Sequence, residues 1–204
     1  RWYSVRPGFL RIASLLRALS SGGVSVGEAD YTKAMMKKLG DVAFWKIAMR
    51  PGRPLAVGRI IKDKLASSPY KTRACSYENN INTPSSEAAV LFGLPGNPVA
   101  VMVTFLAFVR PALLKMMGST AAPPPLLRAR SSEAIRKKPG RTEYQRGVVS
   151  ADSDGTLSVK ITGNQGSGVL SSMVQANGLI VLHHDQANVA QGDEVAVMMF
   201  DGVV

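Results

Sequence analysis

The sequence predicts an α/β domain followed by a small, separate all-β domain. Residues 21–117 combine glycine-rich loops, short apolar strands and helical patterns, which is the mixture expected of an α/β layer. Residues 118–125, "GSTAAPPP", end a helix and continue as a stiff proline run, which predicts a linker. Residues 126–204 change to short strands separated by turns, typical of a small barrel or sandwich. The predicted strands of this second domain are 126–132, 143–150, 156–162, 178–182 and 193–200.

Composition restricts the function classes. With 204 residues, 46% of them hydrophobic, the chain can bury one good core or two modest ones. The net charge of +11 implies an anionic partner, which leaves nucleic acid, an acidic membrane or a phosphorylated small molecule. The basic residues are spread along the chain and only 6% of residues are aromatic, which argues against nucleic acid. The longest apolar run, Val99–Val109, is shorter than a membrane span. A single cysteine, Cys75, excludes an internal disulfide and favours a cytoplasmic protein.

Residues 1–20 form an atypical N-terminal segment. The segment is rich in arginine, has no acidic residue, and places leucines at helical spacing. This pattern is typical of a transit peptide, but also of an amphipathic helix packed on a sheet. A third interpretation is that the segment is not the native start of the domain.

The stretch "SSGGVSVGEAD" predicts a phosphate-binding loop or a plain turn. Its small residues leave backbone amides free to surround an anion, although a glycine-rich loop alone is a weak signal. Asp30 follows the loop and can cap a helix over residues 31–39.

The stretch "DVAFWKIAMRPGRPLAVGRI" predicts two strands joined by a turn. Period-two alternation places Lys46 and Arg50 on the same face of the first strand. The turn "RPGRP" gathers Arg50 and Arg53 at one corner, as an anion site or as a solvated strand edge. Residues 61–87, which follow the second strand, are polar without a clear period and predict a loop or insertion.

The stretch "LFGLPGNPVAV" predicts a strand, a tight turn and a helix. Pro95 suits the turn, Gly96 supplies the unusual dihedral angles of the corner, and Pro98 suits the first helical turn. Asn97 is the expected N-cap, with its side chain accepting a hydrogen bond from a free N–H of that turn. Pro111, inside the same helix, predicts a kink or interruption.

The histidines do not form a catalytic or metal site in this interpretation. His183 and His184 are the only two, and as neighbours in a strand they point to opposite faces. What remains is a set of groups suited to an anion: the glycine loop, the basic turn, the Pro-Gly-Asn-Pro corner, and Asp30 as a predicted magnesium ligand. Residue chemistry alone therefore predicts a phosphorylated or oxyanionic ligand.

Four blocks of the sequence together resemble the molybdopterin molybdenumtransferase family, to which the gephyrin E domain also belongs. They are "SGGVSVGEADYT", "FWKIAMRPGRPLAVG", "GLPGNPVAVMVTF" and "PGRTEYQRGVV…TGNQGSG", in the family's order. The resemblance implies an incomplete three-layer α/β molybdopterin-binding domain followed by a small barrel-like β domain. It also implies a reaction in which molybdate is inserted into adenylylated molybdopterin, with magnesium, and AMP is released.

The resemblance also implies residue roles. Asp30 is similar to the acid near the adenylyl phosphate and magnesium, and Lys46 to a ligand-binding lysine, so both are catalytic candidates. The molybdate-binding candidates are Arg50, Arg53, Arg146 and Ser167. The substrate-binding candidates are Ser21, Gly22, Gly23, Ser25, Gly27, Pro95, Gly96, Asn97 and Pro98. In "RPGRP" two arginines replace the family's lysines, which keeps the charge but changes the donor geometry.

Family members are about twice as long and act as homodimers, as far as the resemblance goes. The region that precedes "SSGGVSVG" in the family does not match residues 1–20. Two functions therefore stay open. One is the molybdenum-inserting enzyme, with molybdate and adenylylated molybdopterin as partners. The other is a truncated, non-catalytic remnant that binds molybdopterin or another anion, or serves as an interaction module.

Overall fold

The computed structural model describes residues 18–21, 38, 40–61, 88–120, 122–123 and 125–200. The strands are β1 (Ala18–Ser21), β2 (Gly40–Lys46), β3 (Met49–Arg50), β4 (Pro54–Ile61), β5 (Ala88–Leu94), β6 (Leu127–Ser131), β7 (Thr142–Ala151), β8 (Leu157–Ile161), β9 (Gly178–Leu182) and β10 (Glu194–Met199). The helical elements are α1 (Pro98–Thr104), a π-helical segment (Phe105–Val109), α2 (Arg110–Met116) and α3 (Ser171–Val174).

Contacts divide the chain into two compact units. The first comprises the chain up to Trp45, Pro54–Gly96 and Ala112–Ser119, and the second comprises Lys46–Arg53, Asn97–Pro111 and the chain from Thr120 onward. The "RPGRP" turn and the start of the helix therefore make their contacts in the second unit. This division cuts across the predicted domain limits, which themselves stay a prediction.

The first unit contains a four-stranded sheet in the order β1-β5-β4-β2. β5 is an inner strand that pairs parallel to β1, with Ala18 opposite Leu91, and antiparallel to β4, with Ala56 opposite Gly93. Residues 91–94 of β5 are all buried, as the apolar run predicts for a strand covered on both faces. The strand predicted at the start of "LFGLPGNPVAV" is thus confirmed.

The helical stretch Pro98–Met116 is continuous but changes its hydrogen bonding midway. Pro98 occupies the first turn, as predicted. Before Pro111 the helix widens into the π-helical segment, where the Arg110 N–H bonds to the Phe105 carbonyl. A wider turn accommodates a proline ring that would otherwise clash with the preceding turn. Pro111 therefore changes the helix locally, as predicted, without ending it.

The same stretch is 19 residues long with a mean hydropathy of 1.8, so by length and composition it passes as a membrane span. This differs from the expectation that no apolar run approaches that length. Its first half nevertheless packs inside the protein, because Val99 and Val103 are fully buried.

The second unit is built on a closed five-stranded barrel. The strand order is β3-β7-β8-β6-β10-β9, and β9 also pairs with β7, which closes the ring. Only β3 lies outside this ring, and it pairs parallel to β7 with Arg50 opposite Glu143. The five barrel strands agree with those predicted over residues 126–200 to within two residues at each end.

Both faces of β9 are buried, one in the barrel core and the other in the cluster that contains α1. All five of its residues are buried. Ile180 and Leu182 belong to the barrel core with Val159 and Val197. Leu179, on the opposite face, joins a second cluster in which side chains of β3, α1 and α3 pack together: Met49, Val99, Val103 and Met173.

Three local predictions are wrong. The strand expected through Lys46 and Arg50 ends at Lys46, and Arg50 lies in β3 of the other sheet. His183 and His184 follow the end of β9 and are exposed, so they are not strand neighbours. Ala18–Ser21 is a strand, so a helix does not extend to residue 20.

Candidate functional site

A cleft of about 340 Å³ lies on the second unit. Its walls come from four segments of the chain: β3 with the turn after it, the β6–β7 connection, β7, and the end of β8 with the following loop. The lining residues are 50–51, 134–136, 143–146, 161 and 165. Two predicted molybdate ligands, Arg50 and Arg146, therefore line one cleft.

The "RPGRP" turn reaches the barrel because β3 adds to its edge. The Thr142 N–H donates to the Ala48 carbonyl at 2.9 Å, and the peptide between Arg50 and Pro51 is cis. Gly52 has a φ of +99°, and a Cβ at this position would collide with the Thr104 hydroxyl. The turn needs glycine at position 52 for both reasons. This turn directly follows Arg50, which lines the cleft.

Arg146 lies at the base of the cleft and is only 1% exposed. Its Nη1 donates to the Gln165 carbonyl at 3.2 Å, and its Nη2 to the carbonyls of Asn164 and Gly166 at 3.1 and 3.0 Å. The Nε group donates to Ser172 Oγ at 3.1 Å. The guanidinium is thus satisfied by neutral oxygens, and it fixes the loop over residues 164–166.

Gln165 ties the same loop to the backbone of β7. Its Oε1 accepts from the Arg146 N–H at 2.8 Å, and its Nε2 donates to the carbonyls of Arg146 and Thr162 at 3.2 and 2.5 Å. A buried side-chain network with every member bonded is rigid. The loop that carries Ser167 is therefore held in one arrangement.

The charges in the cleft are not balanced. The lining includes three arginines, Arg50, Arg136 and Arg146, and one carboxylate, Glu143. Glu143 accepts from Arg141 Nε at 3.3 Å and from Gln145 Nε2 at 3.2 Å. Over the described residues the two ion pairs are Arg141–Glu143 and the exposed Arg128–Glu194, so none of the three lining arginines is paired.

Burial and the nearby charge of Arg50 both lower the pKa of Arg146, with burial the larger cause. The positive charges of Arg50 and Arg146 repel each other, and neither arginine is paired with a carboxylate in the described ranges. An anion bound between them would reverse that repulsion. The arrangement is therefore suited to a small, multiply charged anion.

The Pro-Gly-Asn-Pro corner contributes one residue to this region. Asn97 is the N-cap of α1, but its side chain makes no capping hydrogen bond, so that part of the prediction is wrong. Its Nδ2 donates instead to Ser167 Oγ at 2.9 Å. Pro95 is buried, whereas Gly96 and Pro98 are exposed.

The other predicted site residues are not brought to the cleft lining. Arg53 and Lys46 are exposed, Ser167 is half-buried, and Ser21 ends β1. Gly22, Gly23, Ser25, Gly27 and Asp30 lie outside the described residues. The convergence of Arg50, Arg53, Arg146 and Ser167 on one oxyanion stays a prediction, with all four now placed in the second unit.

Sequence reasoning missed several lining residues: Arg136, Glu143, Tyr144, Gln145 and Gln165. For Glu143 and Gln145 the sequence indicated only their placement on one face of the predicted strand, because side chains two residues apart share a face. Arg136 had none, since it lies in an ordinary basic stretch before β7.

No group of three or more histidine, cysteine, aspartate or glutamate side chains that could hold a metal ion occurs in the part of the chain that the structure describes. A magnesium site would depend on Asp30, outside that part.

Two family models match the chain. Residues 14–115 match the "probable molybdopterin binding domain", and residues 128–200 match the "MoeA C-terminal region (domain IV)". The chain belongs to the molybdopterin molybdenumtransferase family. The first match begins at residue 14, and the domain limit at residue 21 stays a prediction.

Curated relatives place the match at one part of a longer protein. The molybdopterin molybdenumtransferase of Haemophilus influenzae is 37% identical over 184 residues, which cover 90% of this chain and 39% of that protein. Gephyrin of Dictyostelium discoideum is 32% identical over 188 residues, covering 89% of this chain and 25% of that protein. The chain thus spans about two fifths or less of the length of these two relatives.

A solved structure supports the fold. The molybdopterin biosynthesis moeA protein of Pyrococcus horikoshii OT3 superposes with a TM-score of 0.55 at 21% identity, covering 86% of this chain and 39% of that one. The predicted fold class, an incomplete α/β domain followed by a small barrel-like β domain, is confirmed for this molybdopterin molybdenumtransferase family member.

Proposed function

We propose that the chain serves molybdenum cofactor biosynthesis by inserting molybdate into adenylylated molybdopterin, with release of AMP. The observation that carries the proposal is the cleft lined by three arginines and one carboxylate that is already paired. Membership of the family supplies the substrate class, and the uncompensated charge supplies a place for the anion.

Molybdate is the substrate whose charge suits this cleft. Sites for small molecules span about 300–1,000 Å³, and the cleft, at about 340 Å³, lies at the lower end of that range. A tetrahedral dianion there would be attracted by both Arg50 and Arg146, whose charges otherwise repel. Charge-assisted hydrogen bonds from guanidinium groups are among the strongest that proteins offer an oxyanion.

The residues take different roles in this proposal. Arg50 donates directly to molybdate, while Arg146 adds positive potential from the base of the cleft and holds the loop with Ser167. Arg53 and Ser167 do not line the cleft, and their role as further donors stays a prediction. Lys46 and Asp30 act on the phosphate side. Magnesium held by Asp30 would stabilise negative charge on the phosphate, and this metal site stays a prediction.

The test is a turnover assay with the chain as it exists. Purified protein is mixed with adenylylated molybdopterin and magnesium, with and without molybdate, and AMP is measured by chromatography. We expect AMP release to require molybdate. Arg53→Ala should weaken molybdate binding more than nucleotide binding, and Asp30→Asn should impair AMP release more than molybdate binding. Equal AMP release with and without molybdate would contradict the proposal.

A second function is favoured by the share of the relatives that the chain covers. Because it spans 39% of the Haemophilus influenzae relative, residues that complete the reaction can lie elsewhere in that protein. The chain would then bind molybdate without turnover. Binding by equilibrium dialysis, together with absent AMP release, identifies this case. The homodimer implied by the family is tested separately by the mass in solution.

A further inference from the structure

Arg136 is a cleft residue that neither the motifs nor the resemblance singles out. It lies in the connection between β6 and β7 and is exposed at the cleft lining.

The backbone on both sides of Arg136 is anchored. Ile135 is 2% exposed, belongs to the barrel core, and exchanges two backbone hydrogen bonds of 2.9 and 3.0 Å with Val189. Lys137 is 4% exposed, and its Nζ donates to the Gln186 carbonyl at 2.6 Å. The Lys137 N–H donates to Asn188 Oδ1 at 2.9 Å. Arg136 therefore projects from a fixed point between two buried residues.

The other charged side chains of the cleft already have partners. Arg146 donates to loop carbonyls and Ser172, and Glu143 accepts from Arg141 and Gln145. Arg136 and Arg50 make no side-chain hydrogen bond or ion pair with any residue in the described ranges. The charged donors of the cleft that are free for a ligand therefore come from these two arginines.

We propose that Arg136 is an oxyanion-binding residue that holds, together with Arg50, a tetrahedral dianion in this cleft. The inference rests on the proposed function for the identity of the anion, which would be molybdate. Two guanidinium groups on separate, anchored segments offer several donors at once, whereas one group cannot surround a tetrahedral ligand. Arg146 remains the positioning residue beneath them.

The experiment measures binding of tetrahedral anions to the full chain by equilibrium dialysis at low ionic strength. The probes are molybdate, tungstate, sulfate and phosphate, and the variants are Arg136→Ala, Arg136→Lys and Arg50→Ala. The matched control is Arg130→Ala, which removes an exposed arginine of β6 that does not line the cleft. The urea midpoint of each variant checks that it folds.

We expect Arg136→Ala to weaken molybdate binding about tenfold, the effect of one charge-assisted contact at a solvated rim. Arg136→Lys should recover part of the loss, because lysine keeps the charge but not the planar pair of donors. Arg130→Ala should change the molybdate affinity by no more than about twofold. This control separates the loss of a direct contact from the loss of one positive charge on the protein.

The outcomes separate this inference from the proposed function. If Arg50→Ala weakens molybdate binding and Arg136→Ala does not, Arg136 is not a ligand and the proposed function stands. If sulfate or phosphate binds in an Arg136-dependent way but molybdate does not, the inference holds and the proposed function is wrong. If the native chain binds none of the four anions, both are wrong.

Discussion

Asn97 and Ser167 are joined by a hydrogen bond of 2.9 Å between Asn97 Nδ2 and Ser167 Oγ, across 70 positions of sequence. The Asn97 carbonyl accepts the first helical hydrogen bond from Val101 at 2.9 Å, whereas the Asn97 side chain makes no capping hydrogen bond. The side chain is thereby free to bind the loop after β8. Asn97 of the Pro-Gly-Asn-Pro corner and Ser167 of the loop after β8, which belong to two motifs of the resemblance, are thus in direct contact.

Breaking this bond should affect anion binding more than stability. Asn97→Ala and Ser167→Ala should each lower the unfolding free energy by less than about 1 kcal/mol, because the bond is exposed. If the bond positions Ser167, each change should also weaken molybdate binding, and the double variant should be no weaker than the worse single one. Dialysis on all four proteins of this double-mutant cycle measures the coupling.

A control pair lies on the same barrel. Ser150 and Ser158 share an exposed hydroxyl–hydroxyl bond of 3.1 Å away from the cleft. Ser150→Ala should leave molybdate affinity unchanged. Equal losses from Ser150→Ala and Asn97→Ala would mean that the Asn97–Ser167 bond has no specific role.

Arg146→Met should destabilise the second unit and free the loop over residues 164–166. The change removes donors from three backbone carbonyls and Ser172, which costs about 1–3 kcal/mol for each group left unsatisfied, less what water recovers. A net loss of about 2 kcal/mol in urea unfolding is expected. Hydrogen exchange at residues 163–167 should rise, whereas Arg130→Met, an exposed site, should alter neither quantity.

The barrel strands could be predicted from the sequence because their signals are local. Each strand alternates over a few residues and stops at a turn that contains glycine, asparagine or aspartate. β3 could not be predicted, because two residues carry no period and its pairing with β7 joins positions about ninety apart. The hydrogen bond from Asn97 to Ser167 could not be predicted either, because it joins residues far apart in sequence. The local preference of asparagine at a helix start predicts a capping bond instead.

The candidate site was predictable in part. Arg50 came from the basic turn and Arg146 from the resemblance alone, and the structure brings both to one cleft. The role of Arg146 in holding a loop could not be predicted, because its acceptors are backbone carbonyls that only the fold brings near. Arg136 was missed because its cleft position depends on the anchoring of Ile135 and Lys137, which no motif records.

Ionisation of Tyr144 should lower the free energy of unfolding at high pH. Burial raises its pKa above the ordinary value of 10.0, so the unfolded chain loses this proton first. Its contribution is therefore complete below pH 10.0 and is lost as the pH rises from there through the folded-state pKa. Phenylalanine cannot ionise, so the stability of the native chain relative to Tyr144→Phe should decrease between pH 8 and about pH 11. Urea unfolding of both proteins at both pH values measures this, and a constant difference would contradict it.

Gly52→Ala should be more damaging than Gly140→Ala, although both glycines have a φ of +99°. Backbone strain is therefore matched, at about 1–2 kcal/mol for a non-glycine residue. The two sites differ in space: a Cβ at Gly140 meets nothing within 4 Å, while one at Gly52 collides with Thr104 Oγ1. Thr104 is fully buried and donates to the Ala100 carbonyl at 2.6 Å, so it cannot move away cheaply. We expect Gly52→Ala to lose about 1–3 kcal/mol more than Gly140→Ala in urea unfolding, the usual cost of overpacking. Adding Thr104→Ala should recover part of the difference by removing the colliding hydroxyl, and no recovery would locate the damage in the backbone of the turn that carries Arg50.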